Sequence, residues 1–345
     1  MSEKFRFGVI GMGIGRVWAR EIAANPECEL AGIYDPYFDQ QDENRRKEVA
    51  AFHPTIFRSY DELFAAKPAI MVVASPDHLH CEGVVKALEH GCDVICEKPL
   101  APTVEDCQMM VEAVKKSGRR FMTGQICRFT PGFMLAKQLI EEGRIGEIAC
   151  IETEYAHNYR LGAAGFQEWR RDAKVARENI VGGGCHAMDL LRWIMGEPVS
   201  VYAVANHMLM PDWCKTDDSC YALLRFKNGA IGKVFASCGV NMPYSMRTVI
   251  HGTKGSIVCD NTRDHIDISE FPLRRSSGML GLGTIPVSKA SHNVAGEIKD
   301  FLSHIKDGTP IPTDVYEGSR TVALGDAILR SARTGEVTVP VAFEK

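Results

Sequence analysis

A glycine-rich turn follows directly on the first predicted strand of the chain. The strand is Phe5–Ile10, with the sequence FRFGVI, and the turn that contains Gly11, Gly13 and Gly15 follows it and opens a helix. Glycines at such a junction allow a tight turn and let the backbone approach a pyrophosphate, which the helix N-terminus attracts. The spacing is GxGxG, so Arg16 stands where the third glycine of GxGxxG is expected. The turn therefore predicts dinucleotide binding, with a purely structural turn as the alternative.

Short β-branched runs alternate with helical periodicity through the first 127 residues, which is typical of βαβ units and a parallel sheet. The further strands predicted in this part are Glu29–Tyr34, Ile70–Ala74, Asp93–Cys96 and Phe121–Gln125. Beyond it, predicted strands follow one another without helices, which favours an antiparallel sheet. They are Ile148–Ala156, Val199–Asn206, Cys220–Phe226, Ala230–Cys238 and Met246–Gly252, with Asn228-Gly229 as a hairpin signal.

The predicted fold class is therefore α/β, with two domains. Residues 1–127 form a doubly wound, parallel Rossmann sheet, and residues 128–345 form an α/β domain with a large, mostly antiparallel open sheet. A Ser-, Gly- and Arg-rich excursion is expected over Thr262–Ser291. The last predicted helix, about Tyr316–Arg333, is expected to pack back on the first domain.

The composition excludes several classes of protein. A net charge of -4 argues against a nucleic-acid binder, which needs a basic surface. No apolar run approaches the ~20 residues of a membrane span, and the N-terminus has no apolar signal core. Twelve cysteines lack CxxC spacing, so they are interpreted as reduced thiols of a cytoplasmic protein, and no metal site is predicted.

An acidic residue ends the second predicted strand. Asp35 stands twenty residues beyond Gly15, where a carboxylate can accept both ribose hydroxyls of NAD and repel the 2′-phosphate of NADP. Pro36 and Tyr37 follow it, and no arginine adjoins. NAD is therefore the predicted cofactor in preference to NADP, with a turn carboxylate as the alternative interpretation of Asp35.

Two more loops follow predicted strands, at the sheet edge where doubly wound folds bind ligands. They are Ala74–His80, with the sequence ASPDHLH, and Cys96–Pro99, with the sequence CEKP. The ammonium of Lys98 could hydrogen-bond a substrate hydroxyl and stabilise a developing alkoxide. A solvated surface lysine is the alternative.

These segments resemble the Gfo/Idh/MocA family of NAD(P)-dependent sugar and cyclitol oxidoreductases. The resemblance is carried by GVIGMGIGR, ASPDHLH, GCDVICEKPLAPTVEDC, GQICRFTPGFMLAKQLIEEGRIGEI, GGGCHAMDLLRWIMG and DDSCYALLRFKNGAIG. It implies a Rossmann domain, a second domain whose open sheet forms the substrate wall and oligomer interface, and Lys98 as the catalytic lysine. The predicted cofactor contacts are Gly11, Met12, Gly13, Ile14, Gly15, Asp35, Ser75, Pro76, His80, Glu97, Lys98 and Gln125.

A histidine follows a second glycine run. His186 is predicted in the first turn of a helix, whose positive end keeps an imidazole neutral and suited to act as general base. A histidine tied into a backbone hydrogen bond is the alternative. The resemblance implies that His186 is the catalytic base, but the aspartate that many members carry four residues earlier is Gly182 here. Asp189, one turn on, either substitutes for it or caps the helix.

Aromatic and polar residues cluster at the start of the second domain. Tyr155, His157 and Tyr159 alternate, so they are predicted to share one face of a strand, with Trp169, Arg170 and Arg171 following. Such side chains suit sugar rings, and a sheet face packed against a helix or subunit is the alternative. The predicted substrate contacts are His157, Tyr159, Trp169, Arg170 and Asp189.

Three functions remain open from the sequence. The first is an NAD-dependent oxidoreductase that transfers hydride from a secondary hydroxyl of a sugar, glycoside or cyclitol. The second is a relative that cleaves glycosides by oxidation and elimination while recycling its NAD. The third is a non-catalytic NAD-binding regulator. By analogy with relatives, a homodimer or homotetramer is expected.

Overall fold

The structure, a computed structural model, describes residues 4–160, 168–170, 172, 175, 178–270, 283–289 and 292–345. The chain divides into two compact units. The first comprises Met1–Gly124, Val294–Ser319 and Glu344–Lys345, and the second comprises Gln125–Asn293 and Arg320–Phe343. This division differs from the predicted one, in which all of 128–345 formed the second domain, because Val294–Ser319 belongs to the first unit.

The first unit contains a parallel sheet of six strands in the order β3-β2-β1-β4-β5-β6. The central strands β1 and β4 are mostly apolar because helices cover both faces of a doubly wound sheet, and Val9, Ile10, Val72 and Val73 are buried. The strands are β1 (Phe5–Ile10), β2 (Cys28–Tyr34), β3 (Ile56–Phe57), β4 (Ile70–Val73), β5 (Asp93–Cys96) and β6 (Phe121–Thr123). The helices are α1 (Gly15–Ala24), α2 (Glu43–Ala50), α3 (Tyr60–Ala65), α4 (His80–Glu89), α5 (Val104–Ser117) and, later in the chain, α9 (Val294–Asp307).

The strand order reverses between β1 and β4, which is the point where doubly wound sheets bind ligands. All neighbouring strands in this sheet are parallel, so the loops that follow β1, β4 and β5 lie at one edge of it. The predicted Rossmann sheet is confirmed. Strand β3 is missing from the prediction because two residues are too few for a periodic pattern.

The second unit contains a sheet of eight strands in the order β14-β13-β12-β11-β7-β10-β9-β8. Only the β10–β7 pair among these is parallel, so the predicted, mostly antiparallel sheet is confirmed. The strands are β7 (Ile148–Ala156), β8 (Pro198–Asn206), β9 (Ser219–Phe226), β10 (Ile231–Ser237), β11 (Arg247–Gly252), β12 (Gly255–Asp260), β13 (His265–Glu270) and β14 (Gly283–Pro286). The helices are α6 (Pro131–Glu141), α7 (Asn179–Gly182) and α8 (Cys185–Met195); α10 (Val315–Thr334) has its first five residues in the first unit and the others in the second.

Two details of the second sheet bear on the prediction. Gly229 takes a φ of 88° in the β9–β10 hairpin, which is the left-handed conformation that the Asn-Gly signal implies. The excursion expected over Thr262–Ser291 is wrong for its described part, because β13 and β14 extend the sheet there. Ile266 and Ile268 alternate with polar residues in β13, and both are buried.

Among the described residues, no helix combines the length and the apolar composition that crossing a membrane requires.

Candidate functional site

The turn after β1 is held close to the neighbouring strand β4. Gly11 has a φ of 92°, and its N–H donates to the carbonyl of Tyr34 at 2.8 Å. A Cβ on Gly11 would lie 2.6 Å from the carbonyl oxygen of Ala74 and 2.7 Å from the Cα of Ser75. Only glycine satisfies both the backbone angle and this close approach.

The other two glycines of the turn have different surroundings. A Cβ on Gly13 would meet no atom within 4 Å, whereas one on Gly15 would lie 3.1 Å from Val9 Cγ1 and 3.3 Å from Ala74 Cβ. Gly15 therefore allows α1 to pack closely on the strands, which is the role of the third glycine in GxGxxG. Arg16 instead forms an ion pair with Glu48 at 2.8 Å.

The N-terminus of α1 fits the phosphates of a dinucleotide. Its N-cap residue, Ile14, provides no side-chain hydrogen bond, and the first turn holds no acidic residue. The first N–H groups of a helix need partners, and an anion there is favoured by the helix dipole. The open space at Gly13 leaves room for the backbone to approach such a group.

Asp35 lies directly beyond β2 and is buried. Its oxygens accept from the N–H groups of Met12 at 2.9 Å and Tyr37 at 2.8 Å. Burial raises the pKa of Asp35, and the two N–H donors oppose this rise. The carboxylate thus fixes the turn, and each oxygen keeps a further lone pair that a ribose hydroxyl could use. Arg58 was not predicted near this site. It forms an ion pair with Asp39 at 3.0 Å.

The loop that follows β4 is tied to the loop that follows β5. His80 is buried, with Nε2 at 2.9 Å from the carbonyl oxygen of Ser75 and Nδ1 at 3.1 Å from that of Pro99. His80, predicted as a cofactor contact, therefore joins the two loops. The hydroxyl of Ser75 is buried and has no hydrogen-bond partner among the described residues, as expected of a group that awaits a polar ligand. Pro76 forms the N-cap of the short helical turn that follows.

Glu97 and Lys98 lie at the carboxyl end of β5. Glu97 is buried and accepts from Trp18 Nε1 at 2.7 Å and from the N–H of Lys98 at 3.1 Å. The side chain of Lys98 is half-buried, and its ammonium forms no salt bridge within the part of the chain that the structure describes. Lys98 is therefore held by its backbone while its charged end remains available.

His186 is the second residue of α8, in the second unit, and is buried. Its Nδ1 lies 3.3 Å from Cys127 Sγ, and its ring stacks on Tyr155 with centroids 5.8 Å apart. A Cβ on Gly183 would lie 2.3 Å from the Tyr155 ring, and a Cβ on Gly184 would lie 2.2 Å from the carbonyl oxygen of Ile180. Gly183 thus allows the start of α8 to approach Tyr155 at the end of β7.

An aromatic cluster surrounds His186 in this unit, consisting of Tyr155, His157, Tyr159, Tyr244 and His292. The hydroxyl of Tyr155 lies 3.0 Å from His157 Nδ1 and 3.1 Å from the hydroxyl of Tyr159. Tyr244 contacts His157 with ring centroids 4.6 Å apart and places its hydroxyl 3.5 Å from His292 Nε2. The prediction that Tyr155, His157 and Tyr159 share a strand face is wrong because β7 ends at Ala156, although the three side chains do meet.

Arg170, a further predicted substrate contact, reaches this cluster, and Trp169, another, contacts Arg170. The guanidinium of Arg170 lies over the ring of Tyr159 at 5.5 Å and over the ring of Trp169 at 5.2 Å. Arg171, also noted in the sequence, lies outside the described residues. Tyr244 and His292 were not predicted, because each lies far along the chain from the cluster and stands in no periodic pattern. Burial raises the pKa of Tyr244.

Asp189 takes part in a buried ion pair rather than in a helix cap. Arg128 donates from Nε to Oδ2 at 2.9 Å and from Nη2 to Oδ1 at 2.6 Å. Thr321 connects this pair to Gln125, which donates from Nε2 to the threonine hydroxyl at 3.3 Å. Gln125, a predicted cofactor contact, is buried, and its Oε1 has no partner among the described residues. Neither Arg128 nor Thr321 was predicted.

Within the described ranges, no three His, Cys, Asp or Glu side chains are placed to hold a metal ion.

Comparisons with known proteins match both units. Residues 5–125 match the model of an oxidoreductase family with an NAD-binding Rossmann fold, and residues 133–258 match that of the GFO/IDH/MocA C-terminal domain. The chain is 31% identical over 306 residues to 2,7-anhydro-N-acetylneuraminate hydratase of Escherichia coli strain K12, covering 86% of this chain and 72% of that protein. It is 26% identical over 333 residues to inositol 2-dehydrogenase of Rhizobium meliloti strain 1021, covering 94% and 96%. A solved structure of levoglucosan dehydrogenase in complex with NADH has a TM-score of 0.84 at 26% identity, covering 98% of this chain and 100% of that chain.

Proposed function

The chain belongs to the GFO/IDH/MocA family of NAD-binding oxidoreductases, and on that premise we propose that its substrate is a sugar, glycoside or cyclitol oxidised at a secondary hydroxyl. Relatives named as inositol and levoglucosan dehydrogenases support this substrate class. The observation that carries the proposal is the ammonium of Lys98, at the ligand-binding edge of a parallel sheet and with no salt bridge among the described residues.

The residues of the first unit hold the cofactor in this proposal. The N–H groups at the start of α1, the open space at Gly13 and the buried hydroxyl of Ser75 fit a pyrophosphate and its neighbouring groups. Asp35 receives the ribose hydroxyls. When bound, NAD supplies the acceptor for hydride.

Lys98 and His186 are the catalytic residues in this proposal. Lys98 donates a hydrogen bond to the substrate hydroxyl oxygen and stabilises the negative charge that develops on it. His186 removes the hydroxyl proton as general base. The Cys127 thiol at 3.3 Å and the stacked ring of Tyr155 hold the imidazole in place.

The substrate contacts proposed are His157, Tyr159, Trp169 and Arg170, whose rings and polar atoms suit a hydroxyl-rich ring. For Asp189 the proposal changes, because both of its oxygens accept from Arg128. A carboxylate so engaged positions α8, and with it His186, and does not contact the substrate.

The test is a rate assay on purified protein. NADH formation is followed at 340 nm with a panel of polyols and glycosides, for wild type and for the variants Lys98→Met and His186→Asn. Each variant should lose at least about a hundredfold in kcat, as general acid–base groups usually contribute. Lys86→Met is the matched control, because Lys86 is likewise half-buried and its ammonium pairs with Glu82 on α4. A Lys98→Met enzyme that turns over at the wild-type rate would refute the assignment.

A second candidate is the glycoside-cleaving reaction with recycled NAD. It is favoured by the relative named as a hydratase, which is 31% identical over 306 residues. In this reaction, oxidation at C3 acidifies the C2 proton, elimination of that proton breaks the glycosidic bond at C1, and the hydride is returned. Release of a leaving group without net NADH formation would select this candidate over the first.

We also propose a cytoplasmic homodimer or homotetramer. Outward-facing residues of β8, β9 and β10 are apolar and exposed, among them Val204, Tyr221, Leu223 and Ile231 at 50–59% exposure. An apolar sheet face of this kind is a usual site of subunit contact. All twelve cysteines are thiols, which supports a reducing compartment. Light scattering on wild type and Leu223→Glu tests the assembly, and an unchanged mass would refute the interface.

A further inference from the structure

Glu297 in the first turn of α9 is a fully buried carboxyl group that the proposed reaction does not use. Its exposure is 0%, and neither oxygen has a hydrogen-bond partner among the described residues. A Cβ built on Gly124 would lie 3.7 Å from Glu297 Oε1 and 3.5 Å from the Cα of Glu97. Glu297 therefore lies beside the end of β5 that carries Glu97 and Lys98.

The carboxyl groups of Glu97 and Glu297 differ in the hydrogen-bond donors that contact them. Glu97 accepts from the indole N–H of Trp18 and from the N–H of Lys98, whereas Glu297 accepts from none of the described groups. Hydrogen bonds from N–H groups favour an ionised carboxylate, and two adjacent buried carboxyls resist carrying two charges. Because Glu297 has no donor among the described groups and lies near a second buried carboxyl, a proton belongs on Glu297.

The surrounding charges agree with this assignment. Burial raises the pKa of Glu297 well above its usual range; Glu97 from β5 and Asp300 from α9 add to the rise, and Lys98 opposes it. Helix α1, which packs on α9, faces the pair with the uncharged indole of Trp18. The N-terminus of α9 favours an anion, so burial outweighs the helix dipole at this position.

We propose that Glu297 is a positioning residue for Lys98: while Glu297 keeps its proton, the Lys98 ammonium has no counter-ion on α9 and remains available to the substrate oxygen. When Glu297 loses its proton to solvent, its carboxylate becomes a counter-ion and draws the ammonium away from the substrate. This inference rests on the proposed catalytic role of Lys98. It predicts that loss of the Glu297 proton limits turnover at alkaline pH.

The test compares the pH profiles of kcat/KM for wild type and Glu297→Gln, because glutamine has the shape of a protonated glutamate and cannot ionise. At neutral pH, Glu297→Gln should retain kcat within about twofold of wild type, by the reasoning that an isostere preserves packing. In the alkaline range, kcat/KM of the wild type should decrease at a lower pH than kcat/KM of the variant. A merely structural role would lower the variant uniformly at all pH values. Superimposable profiles would refute the proposal.

Two controls separate this result from others. Asp307→Asn removes an exposed carboxyl at the end of the same helix, and it should leave the alkaline limb as in wild type. Lys98→Met tests the proposed function separately. If this variant retains turnover, the catalytic role of Lys98 is refuted. If it is inactive and the pH profiles of wild type and Glu297→Gln superimpose, only the role of Glu297 is refuted. Should Glu297→Gln not fold, infrared spectroscopy of wild type at pH 7 decides. A protonated-carboxyl band from the protein supports the proposal, and its absence overturns it.

Discussion

Replacing Gly13 by alanine should separate cofactor binding from folding. A Cβ on Gly13 meets no atom within 4 Å, and its φ lies outside the left-handed region, so the folded chain accommodates a methyl group. Alanine also restricts the unfolded chain, which stabilises a protein by about 0.4–1 kcal/mol at compatible positions. The same methyl group would fill the space before α1 that we assign to the pyrophosphate. We therefore expect equal or greater stability, together with a Kd for NAD raised at least tenfold, or about 1.4 kcal/mol.

Two other glycines provide contrasting controls. Gly11→Ala should destabilise the fold, because its Cβ would lie 2.6 Å from a backbone oxygen at a φ of 92°. Gly118→Ala, at a φ of 63° with open surroundings beyond α5, should cost about 1–2 kcal/mol of stability and leave the Kd for NAD unchanged. Urea unfolding gives the stabilities, and calorimetric titration gives the Kd. A Gly13→Ala protein that binds NAD as tightly as wild type would refute the assignment of this space.

Three more outcomes are expected. Asp35→Ala should weaken NAD binding relative to NADP, and an unchanged ratio of the two Kd values would contradict the ribose role. The substitution also removes the acceptor of the Met12 and Tyr37 N–H groups, so it should lower the free energy of unfolding by about 1 kcal/mol per lost hydrogen bond. Asp189→Ala should cost about 3–5 kcal/mol in urea unfolding, because it leaves the Arg128 charge buried without its partner. Glu297 holds a proton in the folded state that the unfolded chain releases above its usual pKa of 4.5. The difference in the free energy of unfolding between wild type and Glu297→Gln should therefore be constant below that pH. Above it, the wild type should lose up to about 1.4 kcal/mol per pH unit relative to the variant until the folded pKa is reached. Parallel plots of unfolding free energy against pH for the two proteins would contradict this prediction.

Local patterns predicted the first unit well because its signals lie close together in the chain. The strands β1 and β5 have the predicted limits, and the loops that follow β1, β4 and β5 lie at one edge of the sheet, as the predicted doubly wound fold requires. Gly15 shows why a motif needs its packing context: the spacing differs from GxGxxG, yet Gly15 allows α1 to pack closely against the strands.

Contacts between distant segments could not be predicted in the same way. Arg128 and Asp189 are 61 residues apart, and nothing in either segment marks them as partners. Tyr244 and His292 join the aromatic cluster from segments without a strand or helix signal. Glu297 stands in an amphipathic helix, where a glutamate usually indicates the solvent face, and its burial follows only from the packing of α9. By contrast, the alternating isoleucines of β13 are a pattern typical of a strand, and the Ser- and Gly-rich sequence around them led to the wrong prediction of an excursion.

The assignment of Val294–Ser319 to the first unit also concerns the order in which the chain is made. A ribosome releases residues 1–124 early, but α9, which packs on α1, emerges only after the whole strand-rich part of the second unit. At about 5–20 residues per second, that wait is on the order of ten to thirty seconds. During it the nascent dinucleotide unit exposes the side of α1 on which α9 packs, and the neighbourhood of Glu97 stays incomplete. The cofactor-binding unit therefore matures late in synthesis, although it begins the chain.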